Sequence, residues 1–318
     1  MRKIILLIAA VMVSLASILV FNTLMLSSKQ VASERLERLN LSDEVFQNLS
    51  KAIQYPTISF GEKVPVDSIA FIGFHRFLEA TFPLTHAKLS LEKINTYSLL
   101  YTWEGSEASK KPIIFMSHQD VVPVDKPTLK DWEAGPFEGK ISKTDIIGRG
   151  AMDDKASLIA LLEAVERLLE ESFKPSQTIY LAFGHDEEVG GSKGAAEIAK
   201  YLKSKDVQAA MTIDEGGFLA ENMVPGIDKP IAMVNLAEKG FASFNLIVKT
   251  QGGHSSQPPK ENTIGMLAQA IVDLENNQLP YKLVKPIDYQ LEYIGAALSF
   301  FKKLAFANPW LFEKRILE

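Results

Sequence analysis

Residues 184–188, GHDEE, set His185, Asp186, Glu187 and Glu188 in a row directly after the apolar run TIYLAF. Two more apolar runs end the same way. KPIIFM leads into His118 and Asp120 of SHQD, and VQAAMTI leads into Asp214 and Glu215 of IDEGG. A solvated acidic loop needs no purpose. Three apolar runs that each meet their polar residues at the carboxyl end are harder to set aside, because unrelated loops would fall at either end. Several carboxylates stay ionised in one small volume only when a cation offsets their charge. The chain has no cysteine, so any metal site must use nitrogen and oxygen. One imidazole among several carboxylates suits zinc or a similar divalent ion, as a pair. The chemistry expected is metal-assisted hydrolysis.

The elements that position these residues follow from hydrophobic period. Segments 111–120, 177–188 and 206–217 are short continuous apolar runs with β-branched and aromatic bias, and they read as buried parallel strands. Between them, Asp153 and Asp154 open KASLIALLEAVERLLEE, whose Leu158, Leu161, Leu162, Val165, Leu168 and Leu169 form a stripe at helical spacing. Asp154 is the better placed of the two to cap that helix. GAAEIAKYLKSK reads as a second helix. The predicted class is α/β, a mostly parallel sheet flanked by helices, in which sites gather beyond the carboxyl ends of the strands. From about Ile231 the character changes. FASFNLIVKT reads as a strand, GGHSSQPP as a turn, and NTIGMLAQAIVDLENN as a helix capped by Asn262.

A length of 318 residues suggests about two domains, and 47% hydrophobic with 23% charged residues is ordinary for a chain with a substantial core. A net charge of −5 offers no basic patch, which argues against nucleic acid as a partner. No repeat and no phosphate loop of the Walker type is present. The amino terminus, MRKIILLIAAVMVSLASILVFNTLML, is apolar from Ile4 to about Leu26, interrupted only by Ser14, Ser17, Asn22 and Thr23. As a helix it can cross a bilayer of about 30 Å. An uncleaved anchor is favoured over a signal peptide, since no small-x-small cleavage site stands out. Arg2 and Lys3 precede the span while Lys29, Arg35 and Arg38 follow it, so charge counting barely orients it. The short amino-terminal tail favours a catalytic part outside the cytoplasm, or a secreted one.

SHQDVVPV, WEAGPFEGKI through IIGRGAMDDK, GHDEE, IDEGGF and GGHSSQPP occur in that order from about residue 110 to 265. On these motifs the chain resembles the zinc aminoacylase and carboxypeptidase S family of metallopeptidases, most closely the branch that handles N-acyl amino acids and short peptides. The resemblance implies a zinc-peptidase α/β domain over residues 29–230 after an anchor or signal peptide at 1–28. Residues 231–318 would begin a smaller α+β lid through which many relatives dimerise. It implies two zinc ions in the complete protein.

By the same resemblance His118 binds one metal, Asp153 bridges both, Glu188 binds the second and Asp214 completes the first. Asp120 lies two residues beyond His118 and on the same side of an extended chain, where it can accept the other imidazole N–H. Neighbours near a strand end point to opposite sides, so Glu187 and Glu188 divide their roles and Glu187 is the free carboxylate, the general base. His254 would polarise the scissile carbonyl, often in the neighbouring subunit; the bland reading is a turn histidine held by Ser255 and Ser256. His185, Asp186, His75 and His86 receive no role, and Glu215 is expected to be structural. LEYIGAALSFFKKLAFANPWLFEKRILE resembles the hydrophobic insertion of this branch's lid. The family's last ligand, a downstream histidine, has no counterpart, and the chain reads as truncated. The expected function is hydrolysis of an amide beside a free carboxylate. The rival is a membrane-tethered binding protein with incomplete metal chemistry.

Overall fold

The computed structural model describes residues 1–31, 39–224, 226–254, 256–257 and 259–317. Arg35, Arg38 and Ser255, which entered the sequence reading, lie outside the described residues. The chain forms two compact units, one of residues 36–215 and one of residues 1–35 with 216–318.

The second unit opens the chain with helix α1 (Arg2–Met25). The first unit begins with α2 (Asp43–Ile53), whose Asp43 and Glu44 sit where the helix dipole favours negative charge. Helix α3 (Ser68–Thr81) is capped by Asp67, which accepts the N–H groups of Ile69 and Ala70, and Pro83 opens α4 (Pro83–Lys88). Strands β1 (Ser90–Ile94), β2 (Ser98–Trp103) and β3 (Ile113–His118) follow, then the two-residue pair β4 (Lys140–Ile141) and β5 (Ile146–Ile147). Helix α5 (Lys155–Glu170), β6 (Ile179–Gly184), α6 (Ala195–Ser204) and β7 (Met211–Ile213) complete the unit.

The main sheet has the order β1-β2-β6-β3-β7. β3 pairs parallel with β6 and with β7, as the three apolar runs suggest. The sheet is mixed rather than mostly parallel, because β1 and β2 add an antiparallel hairpin to the outer edge of β6. Only three residues join these strands, and Asn95 and Thr96 take φ of 47° and 76° there. So short a connection can join antiparallel neighbours only.

Alternation along the strands builds a three-layer core. Leu99, Tyr101 and Trp103 of β2 face Leu181 and Phe183 of β6 and the helices on one side, meeting Ala52, Phe74, Leu78, Leu158, Leu162 and Val165. Leu100 and Ala182 face the other way, against Ile198 and Leu202 of α6. Of the predicted stripe on α5, Leu158, Leu162 and Val165 are buried, while Leu161, Leu168 and Leu169 pack at the margin of the same core.

The second unit continues with β8 (Phe218–Ala220) and β9 (Ile231–Met233), an antiparallel pair, and α7 (Thr263–Asn276). Asn262 caps α7 by accepting the Gly265 N–H at 2.8 Å, as predicted. Residues 241–250, expected as a strand, are irregular. Strand structure is a property of a pair, and no described segment offers this one a ladder. Helices α8 (Lys285–Ile294), α9 (Phe300–Ala307) and α10 (Pro309–Leu317) end the described chain. Helix α1 is long and apolar enough to cross a membrane, with mean hydropathy 3.0 over its best window, and fits either a signal anchor or a signal sequence.

Candidate metal centre

The first unit brings its polar strand ends to one place. β3 stops at His118, which is 2% exposed, and the imidazole becomes the hub. Its Nε2 lies 2.9 Å from Asp153 Oδ1, 3.4 Å from Glu215 Oε2 and 3.9 Å from Glu187 Oε2. Among the described residues, two groups of side chains could hold a metal ion with their ligand atoms within 4.8 Å of one another: His118 with Asp153 and Glu188, and His118 with Glu187 and Glu215.

Asp120 is fully buried and works on three neighbours at once. Its carbonyl lies 3.0 Å, and its Oδ1 3.3 Å, from His118 Nδ1, which orients the ring so that Nε2 faces the cluster. Its two carboxylate oxygens accept the N–H groups of Glu187 at 3.1 Å and Glu188 at 3.2 Å. Glu187 and Glu188 lie in a single 3-10 turn, Glu187–Val189, not on an extended strand. The alternation expected of them is therefore replaced by a rotation of about 120° per residue, which still sends them into different groups around His118. Glu188 also accepts the Val122 N–H at 3.2 Å.

Beyond the carboxyl end of β7 come Asp214 and Glu215. Glu215, expected to be structural, reaches His118. Asp214 turns back, its Oδ1 accepting the Glu215 N–H at 3.0 Å, and it belongs to neither group. Past a strand end neither residue is held to the strand's alternation, so spacing could not choose between them. Asp154 stands at the cap position of α5 but caps nothing with its side chain; its carboxylate accepts the Ser117 hydroxyl instead. The Asp153–Asp154 peptide is cis.

His185 is buried between Phe71 and Tyr97, its Nδ1 at 2.6 Å from Ser98 Oγ, and it joins neither metal-capable group. Asp186 accepts the Lys193 N–H at 2.8 Å, a turn-forming bond. His254 belongs to the second unit, where Nδ1 lies 2.8 Å from the Ser256 hydroxyl. A residue that sequence reasoning passed over is Gln119. Fully buried between His118 and Asp120, it donates to the carbonyls of Tyr97 at 2.8 Å and Phe183 at 2.9 Å, and its Oε1 lies 2.8 Å from His75 Nε2. The only hint of this in the sequence is its place between His118 and Asp120.

Charge fits a cation. Burial raises the Glu188 pKa, and Asp153 raises it further, to about 7 despite His118. Burial also raises that of Glu187. Burial would lower the His118 pKa, but Asp120 and Glu215 outweigh it and push it up to about 12. The pocket thus holds more negative charge than it can ionise unaided, and a bound divalent ion would release the imidazole proton and let the carboxylates ionise. The donor set, one nitrogen and several oxygens without sulfur, suits zinc or a similar divalent ion.

A buried imidazole ringed by carboxylates, at the ends of parallel strands in an α/β sheet, is the kind of site that suits a divalent metal ion. Residues 114–305, more than half of the chain, match peptidase family M20/M25/M40. The chain belongs to that family. It is 43% identical over 313 residues to the "Probable carboxypeptidase S-like 2" of Dictyostelium discoideum, covering 95% of this chain and 60% of that protein. It is 38% identical over 276 residues to mouse "N-fatty-acyl-amino acid synthase/hydrolase PM20D1", covering 85% and 54%. Carboxypeptidase S of Saccharomyces cerevisiae is 40% identical over 269 residues, covering 80% and 44%. The chain spans about half the length of these relatives. Among solved structures, the M20 family metallo-carboxypeptidase Sso-CP2 of Sulfolobus solfataricus aligns with a TM-score of 0.43 and 26% identity, over 55% of this chain and 38% of that one.

Proposed function

We propose that this chain carries the metal-binding part of a zinc-dependent hydrolase that cuts an amide bond beside a free carboxylate, as a carboxypeptidase or an N-acyl-amino-acid hydrolase. The observation that carries the reading is the gathering of Asp153, Glu187, Glu188 and Glu215 around His118 Nε2. The names of the relatives, carboxypeptidase S and N-fatty-acyl-amino acid synthase/hydrolase, supply the two substrate classes.

His118 and Asp153, with one carboxylate of the Asp214–Glu215 pair, would hold one zinc ion, while Asp153 and Glu188 offer two carboxylates towards a second; a bound zinc lowers the pKa of water to about 7 and polarises a carbonyl. Glu187 takes a proton from the attacking water as its oxygen adds to the carbonyl carbon. The same carboxyl group passes that proton to the nitrogen as the C–N bond breaks, leaving a carboxylic acid and an amine. The raised pKa of Glu187, set first by its burial, suits that exchange. Asp120 holds the His118 ring and the 187–188 turn in register. His254 stabilises the oxyanion, with residues 231–318 beginning a lid through which two copies pair. Helix α1 tethers the protein with its catalytic part outside the cytoplasm.

The test is release of free amino acid from an N-acyl amino acid, alongside metal content by elemental analysis. Glu187→Gln should cut turnover by about 10²-fold or more with metal content unchanged. Full activity in that variant would remove the reading. Binding of metal and substrate without any turnover by the unaltered protein would favour the tethered binding protein instead.

A further inference from the structure

Within the second unit, the carboxyl end of α1 is tied down by polar bonds unusual for so apolar a helix. Asn22 donates from Nδ2 to Asn308 Oδ1 at 2.8 Å. Asn308, fully buried between α9 and α10, donates in turn to the Leu19 carbonyl at 3.2 Å and the Leu304 carbonyl at 2.9 Å. Thr23 is 1% exposed and bonds the Leu19 carbonyl at 2.7 Å. Just past the helix, the Lys29 N–H meets the Glu292 carbonyl at 3.1 Å, and Ser28 Oγ donates to the Tyr293 carbonyl at 2.7 Å. An amide on an apolar helix is costly in hydrocarbon unless paired, so the Asn22–Asn308 pair fixes where α9 and α10 sit along α1. Loss of α1 would strand Asn308, a buried amide, without Asn22 and Leu19.

The position along α1 sets a depth. At 1.5 Å per residue the rise from Arg2 to Asn22 is about 30 Å, which is about the thickness of the hydrocarbon core. A retained α1 that begins at one face therefore places Asn22, and with it α9 and α10, at the opposite boundary. Those helices carry what that boundary favours. Phe301 is 82% exposed, Trp310 60%, and Phe300 and Leu311 are also open, with Lys303 and Lys314 interleaved. Left facing water, such a surface invites aggregation.

We propose that α1 is kept as an anchor and that α9 and α10 lie in the interfacial layer of the bilayer against its far end, with lipid as the partner of Phe300, Phe301, Trp310 and Leu311. The absence of cysteine makes the test clean. The full chain would be reconstituted in vesicles of phosphatidylcholine and phosphatidylserine. A single cysteine at Phe301→Cys or Trp310→Cys would carry an environment-sensitive fluorophore, with Ile264→Cys on α7 as the water-facing control.

A lipid nitroxide just below the headgroups should quench positions 301 and 310 at least about two-fold more than 264, and iodide should quench them at least about two-fold less. Asn308→Leu, which keeps the apolar packing but removes the amide pair, should move both ratios towards the control. Iodide reaching 301 and 310 as freely as 264 would overturn the proposal. Shielding from iodide without lipid quenching would overturn it too, because a second copy or another protein segment would then be the cover. Ratios unchanged by Asn308→Leu would remove the asparagine pair as the device that sets the depth.

Discussion

Replacing Gln119 by Met tests whether the buried side chain just past β3 holds the metal centre in place. The side chain is fully buried and makes three polar contacts, to the Tyr97 carbonyl at 2.8 Å, the Phe183 carbonyl at 2.9 Å and His75 Nε2 at 2.8 Å. Because the amide nitrogen already donates twice, Oε1 must accept, and the His75 proton must be on Nε2. Methionine fills a similar volume, so cavity formation adds little. Each lost bond removes about 1 kcal/mol, and buried partners left unpaired add to that, which gives a loss of about 3 to 5 kcal/mol. That is a large share of the 5 to 15 kcal/mol, roughly, that holds a typical domain. Urea unfolding of the detergent-solubilised chain measures it. The double variant Gln119→Met/His75→Phe should recover at least about 1 kcal/mol of the additive expectation, since the imidazole is no longer stranded. A loss below about 1 kcal/mol, or strict additivity, would refute the network as a stabilising unit. Zinc affinity should fall in the single variant as well, because Gln119 lies between His118 and Asp120.

Three further outcomes are expected. Glu215→Gln should lower zinc content more than Asp214→Asn, since only Glu215 reaches the imidazole; the reverse ranking would show that the Asp214 carboxylate swings inwards on metal binding. His254→Ala should lower kcat far more than it raises KM, and activity regained on mixing that variant with Glu187→Gln would show the histidine acting across a dimer. Burial lowers the pKa of both His75 and His185 from the ordinary 6.5. Below that value these two histidines bind more protons in the unfolded chain than in the folded one, so their contribution to stability should decline as pH falls from 7 through 6.5 towards the lower folded values, opposed by Glu187 and Glu188, whose raised values favour the folded chain there. His75→Phe, compared at pH 7 and pH 5 by urea unfolding, should flatten that decline, and an unchanged slope would mean His75 is not held neutral.

Much of the site could be read along the chain because its determinants are local. Strand ends are marked by the change from apolar to polar, so His118, Glu187, Glu188 and the 214–215 pair could be placed without coordinates. Asp153 precedes a helix whose stripe is visible, and α7 with its Asn262 cap is a pattern within four residues. The features that escaped depend on partners distant in sequence. The hairpin β1–β2 adds to β6 through residues some 80 positions away, as in Leu99 opposite Phe183, and pairing of that kind leaves no local mark. Whether Asp214 or Glu215 faces the imidazole depends on backbone direction beyond β7, where strand alternation no longer applies. Gln119 looked like a spacer between two site residues until the fold brought His75, Tyr97 and Phe183 around it. Asn22 looked like an interruption in an apolar span; it faces Asn308, 286 residues along the chain. Period and composition decide which face of an element is buried, but only the folded chain decides which buried polar groups meet, because each such bond needs two partners and their contact depends on every element between them.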